Sequence, residues 1–344
     1  MSWLITVAWL RFTVPSSTVT EMIGLVGGDW MKDKKGFQGY TEGWISRGSG
    51  GGLGRIGAKA SWNPEEVHVD LSQEWIAEWP FEKYQEVAKF VNLKQGHFGR
   101  IDVAFDDREG VVDIPTLHQA VLKGQCVARF KKFRLIAGGD VDSGADEGKT
   151  LALGSRQSDS YLRIYDKAAE QRAKGHEVEG PWIRYEMEWK DERAHAVACC
   201  LAVVTKESFQ KFVVGAFRST VDFRACYRED DPKFRCYAPL LPWWAKLTAG
   251  MEKARLVIAK AEKKIEDVKK WAETSLSPML GLLCAHPEAG ERWLVKTITE
   301  GVDRWRAKHF ALLDGSKEVL KARKKLQRWR PSDGFSAVHA VAVT

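Results

Sequence analysis

The sequence predicts an α+β fold, a mostly antiparallel sheet followed by a helical C-terminal region, on three observations. From Trp3 to about Asp106 the text is dominated by short runs rich in β-branched and aromatic residues, broken by Gly or Asn-Pro. Strand-like and helix-like segments then alternate to about residue 240, and from Trp243 onward long helical patterns of Lys and Glu take over. The change falls at APLLPW, which sets a domain boundary between residues 1–242, an α+β unit, and residues 243–344, a helical and basic region.

Taken in order, the first strands are ITVAWLRFTV, GFQGYTEGWISRG, LGRIGAKASW and EVHVDLS. One helix, FEKYQEVAKFVNLK, interrupts them, since Phe81, Tyr84, Val87, Ala88 and Val91 recur at helical spacing. FGRIDVAFDD is the next strand, then a helix from Ile114 to Lys123 with Pro115 in its first turn, then strands around ARFKKFRLIAG. A polar segment, GGDVDSGADEGK, leads into the strand TLALGSRQS and then SYLRIYDKAAEQ; WIRYEMEWK is a further strand, followed by the helix DERAHAVACCLAVV. The two β-rich blocks invite comparison as structural duplicates, although no repeat is visible in the text.

Bulk properties narrow the partners. Lys and Arg number 53 against 46 Asp and Glu, a net charge of +7 that favours an anionic partner such as nucleic acid. Six cysteines show no C-x-x-C pair, and reduced thiols in a cytoplasm are the expected state. The apolar opening lacks a basic n-region and reads as a buried first strand, and no apolar run approaches the roughly 20 residues of a spanning helix, so a soluble protein without a membrane partner is expected.

Three strands concentrate charge on one face. Alternation puts Arg100, Asp102 and Asp106 opposite Ile101, Val103 and Phe105, and Arg184, Glu186 and Glu188 opposite Tyr185, Met187 and Trp189. In the third, Tyr161, Arg163, Tyr165 and Lys167 share a face while Leu162 and Ile164 point inward. A solvated sheet face explains any one of these. Three together, if neighbours, assemble oxygen ligands for a divalent cation, cations for a phosphate and a nucleophile, which is the inventory for cutting a phosphodiester. A phenol of pKa about 10 needs a cation or base nearby before it attacks phosphorus, and Arg163 or Lys167 would supply that field.

GRIDVAFDD, then TLALGSRQSDSYLRIYDKAAEQ, then WIRYEMEWK resembles the Rep_trans replication initiation factors of rolling-circle plasmids and filamentous phages, to which some conjugative-element relaxases are similar. The resemblance covers residues 1–240 and rests on R-x-D-x-A-x-D-D, L-G-S-R-x-S-x-x-x-L-R-x-Y-D-K and R-x-E-x-E. It implies a sheet of ferredoxin-like or TATA-binding-protein-like type and an origin-specific nickase that becomes attached to the new 5′-phosphate and leaves a 3′-OH primer. It also implies Tyr165 as nucleophile with Tyr161 its rival, Arg163, Lys167 and Arg184 in support, and Mg²⁺ or Mn²⁺ on Asp102 and Glu186 with Asp106 and Glu188 as further ligands. Arg100 and Arg156 are expected on DNA, which would be single-stranded or extruded at the nick. Host helicase and polymerase, a host-cytoplasm location and a homodimer complete the expectation. The sequence departs from the family at Ala8-Trp9, where Asp-Trp is expected, and its eight histidines include no H-x-H pair, which fits carboxylate ligation.

Other signals are weaker. Gly52-Leu-Gly54-Arg-Ile-Gly57 satisfies G-x-G-x-x-G, but AKASW follows it as strand rather than helix, so a hairpin is expected and a dinucleotide loop is not. No G-x-x-x-x-G-K-[ST] occurs, and Asp140, Asp142, Asp146 and Glu147 miss EF-hand spacing. The run Lys317–Arg330 carries seven cations against one acid and is expected on DNA backbone through Lys321, Lys324, Lys325 and Arg328. Two competing functions stand beside origin nicking: a conjugative relaxase of the same chemistry, and a non-catalytic origin-binding protein.

Overall fold

Apolar residues at alternate positions give the central strands one oily face, and among the described residues backbone hydrogen bonds join ten strands into one sheet, antiparallel throughout. The computed structural model describes residues 5–48, 51–142, 144, 146–249, 251–254, 268–269, 272–286 and 290–305. The chain divides into two units, residues 1–258 and 259–344.

Two halves with the same plan build the sheet. The first is β1 (Ile5–Val14), α1 (Val19–Val26), β2 (Met31–Asp33), β3 (Tyr40–Arg47), β4 (Leu53–Ala60), β5 (Val67–Ser72), α2 (Gln73–Ile76) and α3 (Phe81–Leu93). The second is β6 (His97–Asp107), α4 (Ile114–Leu122), β7 (Cys126–Ala128), β8 (Phe133–Gly139), β9 (Asp146–Gly154), β10 (Ser160–Asp166), α5 (Lys167–Ala173), β11 (Ile183–Lys190) and α6 (Asp191–Val203). In each half the first strand lies at the centre, and a four-strand meander returns from the edge until its last strand pairs with the first. The duplication suspected from the text is therefore real in topology, and β1 pairs with β6 to fuse the halves. α7 (Lys206–Thr220), β12 (Val221–Phe223), α8 (Pro232–Tyr237) and α9 (Pro242–Leu247) follow, with β12 pairing β7 in a separate ribbon.

One face of the sheet is the core. Leu10, Phe12, Ile101, Val103, Phe105, Tyr185, Met187 and Trp189 are buried there with residues of α3, α4, α6 and α7. Phe105 stacks on Tyr185 at 4.6 Å, and Phe217 of α7 meets Phe105 and Trp189 edge-on. A bulge between Val7 and Trp9 resets the alternation of β1, so Trp9 and Arg11 join the polar face while Leu10 and Phe12 stay in the core.

Several expectations need correction. α1 and α7 were not anticipated, although Thr18 and Thr205 cap them by accepting from the N–H groups of Glu21 and Ser208. Lys167 is not a strand residue: Asp166 caps α5 by accepting from the Ala169 N–H at 2.8 Å, which ends β10 and turns Lys167 into the first helical residue. The first unit runs past 242, because Trp244 and Leu247 of α9 are buried in its core. The glycine-rich motif lies in the β3–β4 hairpin with Gly54 and Gly57 on a strand, as expected. In the second unit, helices cover Ser277–Ala285 and Gly290–Asp303 after a π-helical turn at Ala272–Leu276. Lys321, Lys324, Lys325 and Arg328 lie outside the described residues. Among the described residues no helix is long and apolar enough to cross a membrane.

Candidate active site

The other face of the sheet is polar, and register decides what meets on it. Asp102 on β6 lies opposite Glu188 on β11, and Arg184 opposite Asp106. On the next strand Arg163 lies opposite Glu186, Tyr165 opposite Arg184 and Tyr161 opposite Glu188. The three charged strands are thus adjacent in the order β6-β11-β10.

The Tyr165 phenol lies within hydrogen-bonding reach of a carboxylate. Its hydroxyl donates to Glu186 Oε2 at 2.8 Å, while Arg163 holds Glu186 Oε1 and stands 3.7 Å from Asp102. Small neighbours leave the pair approachable: Ala104 lies opposite Glu186, and Thr150 and Ala152 flank Tyr165 and Arg163 on β9. The result is an open groove of about 340 Å³ lined by Trp9, Lys149, Arg163, Tyr165, Lys167 and Glu186 among others. Tyr161 is buried, with only 6% of its surface exposed.

Burial first, and then the Glu186 carboxylate, push the Tyr165 phenol well above its usual range, and Arg184 opposes them. The field expected from Arg163 is therefore spent on Glu186, and the cation that helps the phenol is Arg184. Arg184 cannot reach a phosphate: it is almost fully buried, donating to both oxygens of Asp106 at 2.7 and 2.8 Å and to Gln73 Oε1 at 2.7 Å. Burial lowers Arg184, but Asp106 outweighs it and holds the guanidinium above its ordinary pKa. Lys167 donates to both oxygens of Glu170 at 2.9 Å and lies 5.8 Å from the Tyr165 ring centre; burial lowers its pKa despite Glu170.

The acids are held by cations. Arg100 grips both oxygens of Asp102 at 2.8 and 2.5 Å, reaches Glu188 at 3.0 Å and covers the Trp9 ring at 4.5 Å. Arg100, expected on DNA, is therefore occupied by carboxylates, whereas Arg156 is exposed in the β9–β10 turn. Burial raises Asp102 to about 6, with Glu186 and Glu188 adding to the shift and Arg100 opposing it.

Among the described residues no three His, Cys, Asp or Glu side chains come together as a ready-made metal centre. The donor chemistry still suits a hard dication, since Asp102, Glu186 and Glu188 present carboxylate oxygens at neighbouring positions of one face. Arg184 takes both oxygens of Asp106 and Arg100 both oxygens of Asp102, so a dication on either acid would have to displace an arginine, which leaves Glu186 and Glu188 as the acids not gripped in this way. Reasoning from sequence missed Gln73 and Glu170. Glu170 had a signal, the i,i+3 and i,i+4 spacing to Lys167 and Lys174, once the segment is read as a helix. Gln73 had none, being 111 residues from the arginine it orients.

Residues 96–298 match the replication initiation factor family, Rep_trans. The chain belongs to that family. The match begins at the start of β6 and so takes in every strand that carries the tyrosine and its acids. Over 115 residues the chain is 38% identical to NicK of Bacillus subtilis (strain 168), to which a DNA relaxase role is ascribed; the match spans 33% of this chain and 32% of that protein. The rolling circle replication initiator protein of Geobacillus stearothermophilus shares the fold, with a TM-score of 0.61 and 23% identity over 75% of this chain and 99% of that one.

Proposed function

We propose that this replication initiation factor nicks and rejoins one strand of an origin for rolling-circle replication, with Tyr165 as nucleophile. The observation that carries the reading is the Tyr165 hydroxyl, bonded to Glu186 at 2.8 Å in an open groove on the face that holds Asp102. Tyr165 Oη bonds to phosphorus as the P–O3′ bond breaks, and the phenolic proton passes to Glu186. The leaving 3′-oxygen takes a proton from Lys167, which lines the groove 5.8 Å from the Tyr165 ring. The products are a tyrosyl-5′-phosphate and a free 3′-OH that serves as primer; attack by that 3′-OH on the phosphotyrosine reverses the step. Arg163, freed from Glu186 as the proton arrives, is placed to hold the phosphate, and Arg184 acts at a distance through its charge on the phenol.

Glu186 and Glu188, with Asp102 once Arg100 yields its oxygens, are the residues that would hold Mg²⁺ or Mn²⁺, and such an ion would polarise a phosphate oxygen. Origin DNA, single-stranded or extruded at the nick, is the substrate, with host helicase and polymerase acting next in the host cytoplasm. The likeness to NicK favours a second reading with the same chemistry, a relaxase acting at a transfer origin. Incubation with supercoiled origin plasmid and Mn²⁺ tests both readings. A covalent protein–DNA adduct is expected from the wild type and from Tyr161→Phe but not from Tyr165→Phe; salt-sensitive binding with no adduct from any of them would leave only an origin-binding protein.

A further inference from the structure

We infer that the segment Arg129–Arg134, RFKKFR, is a second DNA-contacting element that grips the phosphate backbone of duplex flanking the nick, a role that rests on the nicking reading above. The contrast with the polar face motivates it. There Arg11, Arg100, Arg163 and Arg184 are each tied to a carboxylate. Arg129, Lys131, Lys132 and Arg134 are all exposed, and among the described residues none of them makes an ion pair. Like charges gathered without counter-charge repel one another unless an anion sits opposite.

The segment is also rigidly mounted. The Arg129 N–H donates to the Thr220 carbonyl at 3.0 Å, and the Lys132 carbonyl accepts from the Gly154 N–H at 2.8 Å. Gly154 has φ +95°, and a Cβ there would meet the Phe130 ring at 2.7 Å, so only glycine lets this ring seat against the start of the β9–β10 turn. Phe133 lies against His118 at 5.7 Å. With Phe130 seated on Gly154 and its cations free, the segment offers attraction to a phosphate backbone, and Phe133, still exposed beside His118, is the one ring left at its surface.

Two hollows, of about 430 and 490 Å³, share Phe130, Lys131 and Lys132. The second is also lined by Arg228 and Arg235, and Arg235 Nε is buried without a partner among the described residues. The acid that lines the first, Asp159, is already paired with Arg193 at 2.8 Å, and no acid lines the second. Ser160, at the rim of the first hollow, stands five residues before Tyr165 along β10, about 17 Å in an extended strand. The basic element is therefore a site apart from the nick, close enough for one DNA molecule to touch both.

The test measures binding of a labelled duplex of scrambled sequence between about 50 and 200 mM salt. Replacing Arg129, Lys131, Lys132 and Arg134 by Ala is expected to lower the slope of log K against log[salt] by about 3 to 4. Lys131→Ala with Lys132→Ala alone is expected to lower it by about 2, and Lys131→Arg with Lys132→Arg to leave it unchanged. Cleavage of a short single-stranded substrate spanning only the nick should be kept in all of them. An unchanged slope in the double Ala variant, or a loss confined to one DNA sequence, overturns the inference. A slope that falls in a protein that forms no adduct at all would instead remove the nicking reading and leave the duplex contact standing.

Discussion

The two halves of the sheet share a strand order yet use their polar faces differently. In the first half Asp70 accepts from Trp9 and from Arg11 at 2.9 and 2.6 Å, and His68 meets the Thr13 hydroxyl at 2.8 Å beneath the stacked Tyr40 ring. Tyr40 donates to Glu66, as Tyr165 does to Glu186, but Tyr40 is buried and its glutamate is shared with the Trp62 indole rather than with an arginine. In the second half the tyrosine that meets a glutamate faces a groove, and arginines link its acids in a chain from Tyr165 through Glu186 and Arg163 to Asp102. The same tyrosine–glutamate hydrogen bond thus stands in two settings, and what distinguishes the second is an open groove with arginines beside it.

Removing each tyrosine hydroxyl in turn should separate the two halves most strongly. Tyr165→Phe should lower single-turnover adduct formation by about a thousandfold or more, because no other group on that face can replace the nucleophile, whereas Tyr40→Phe should leave the rate within about twofold. Comparable losses from both would mean that the halves are not distinguished by access.

Stability gives the next contrast. Asp106→Ala strands the buried Arg184 and should cost about 3–5 kcal/mol in denaturant unfolding, while Asp70→Ala, whose partner Arg11 can turn to solvent, should cost nearer 1 kcal/mol. Equal losses would show that the two pairs are buried alike.

Glu186→Gln keeps the shape of the site but removes the proton acceptor, and a drop of about a hundredfold in adduct rate is expected with little change in melting temperature. A Glu186→Gln protein that nicks at the wild-type rate would free Tyr165 of its assigned base.

In pH the halves carry opposite signs. Burial lowers His68 to about 4, below its ordinary value, so its contribution is present above about pH 6.5 and is lost as pH falls toward 4. Asp102 is raised to about 6, so its contribution is present below its ordinary value and is lost as pH rises from about 4 through 6. Each amounts to about 3 kcal/mol over its window. His68→Gln should flatten the fall in melting temperature on acidification, and Asp102→Asn should steepen it by removing the opposing trend; a shift of the same sign from both would show that one assignment is inverted.

Sequence alone determined the chemistry available on each strand. Period-two alternation placed Arg100, Asp102 and Asp106, then Arg184, Glu186 and Glu188, then Tyr161, Arg163 and Tyr165 on single faces, because successive side chains of an extended backbone must point to opposite sides. It likewise marked the hairpin at Gly54 and Gly57 and the helix Phe81–Leu93. Only the tertiary structure decided which strands are neighbours, and with that which arginine neutralises which acid. Pairing of β6 with β11 gave Asp106 to Arg184 and left neither free to contact a ligand; pairing of β10 with β11 gave Glu186 to Tyr165. Those partners lie 78 and 21 residues apart, and hydrogen bonds between strands carry no local signature by which a linear text could announce them. The turn of Lys167 out of its strand, the seating of Phe130 on Gly154 and the reach of Gln73 to Arg184 belong to the same class, since each depends on what the fold brings alongside rather than on what comes next in the chain.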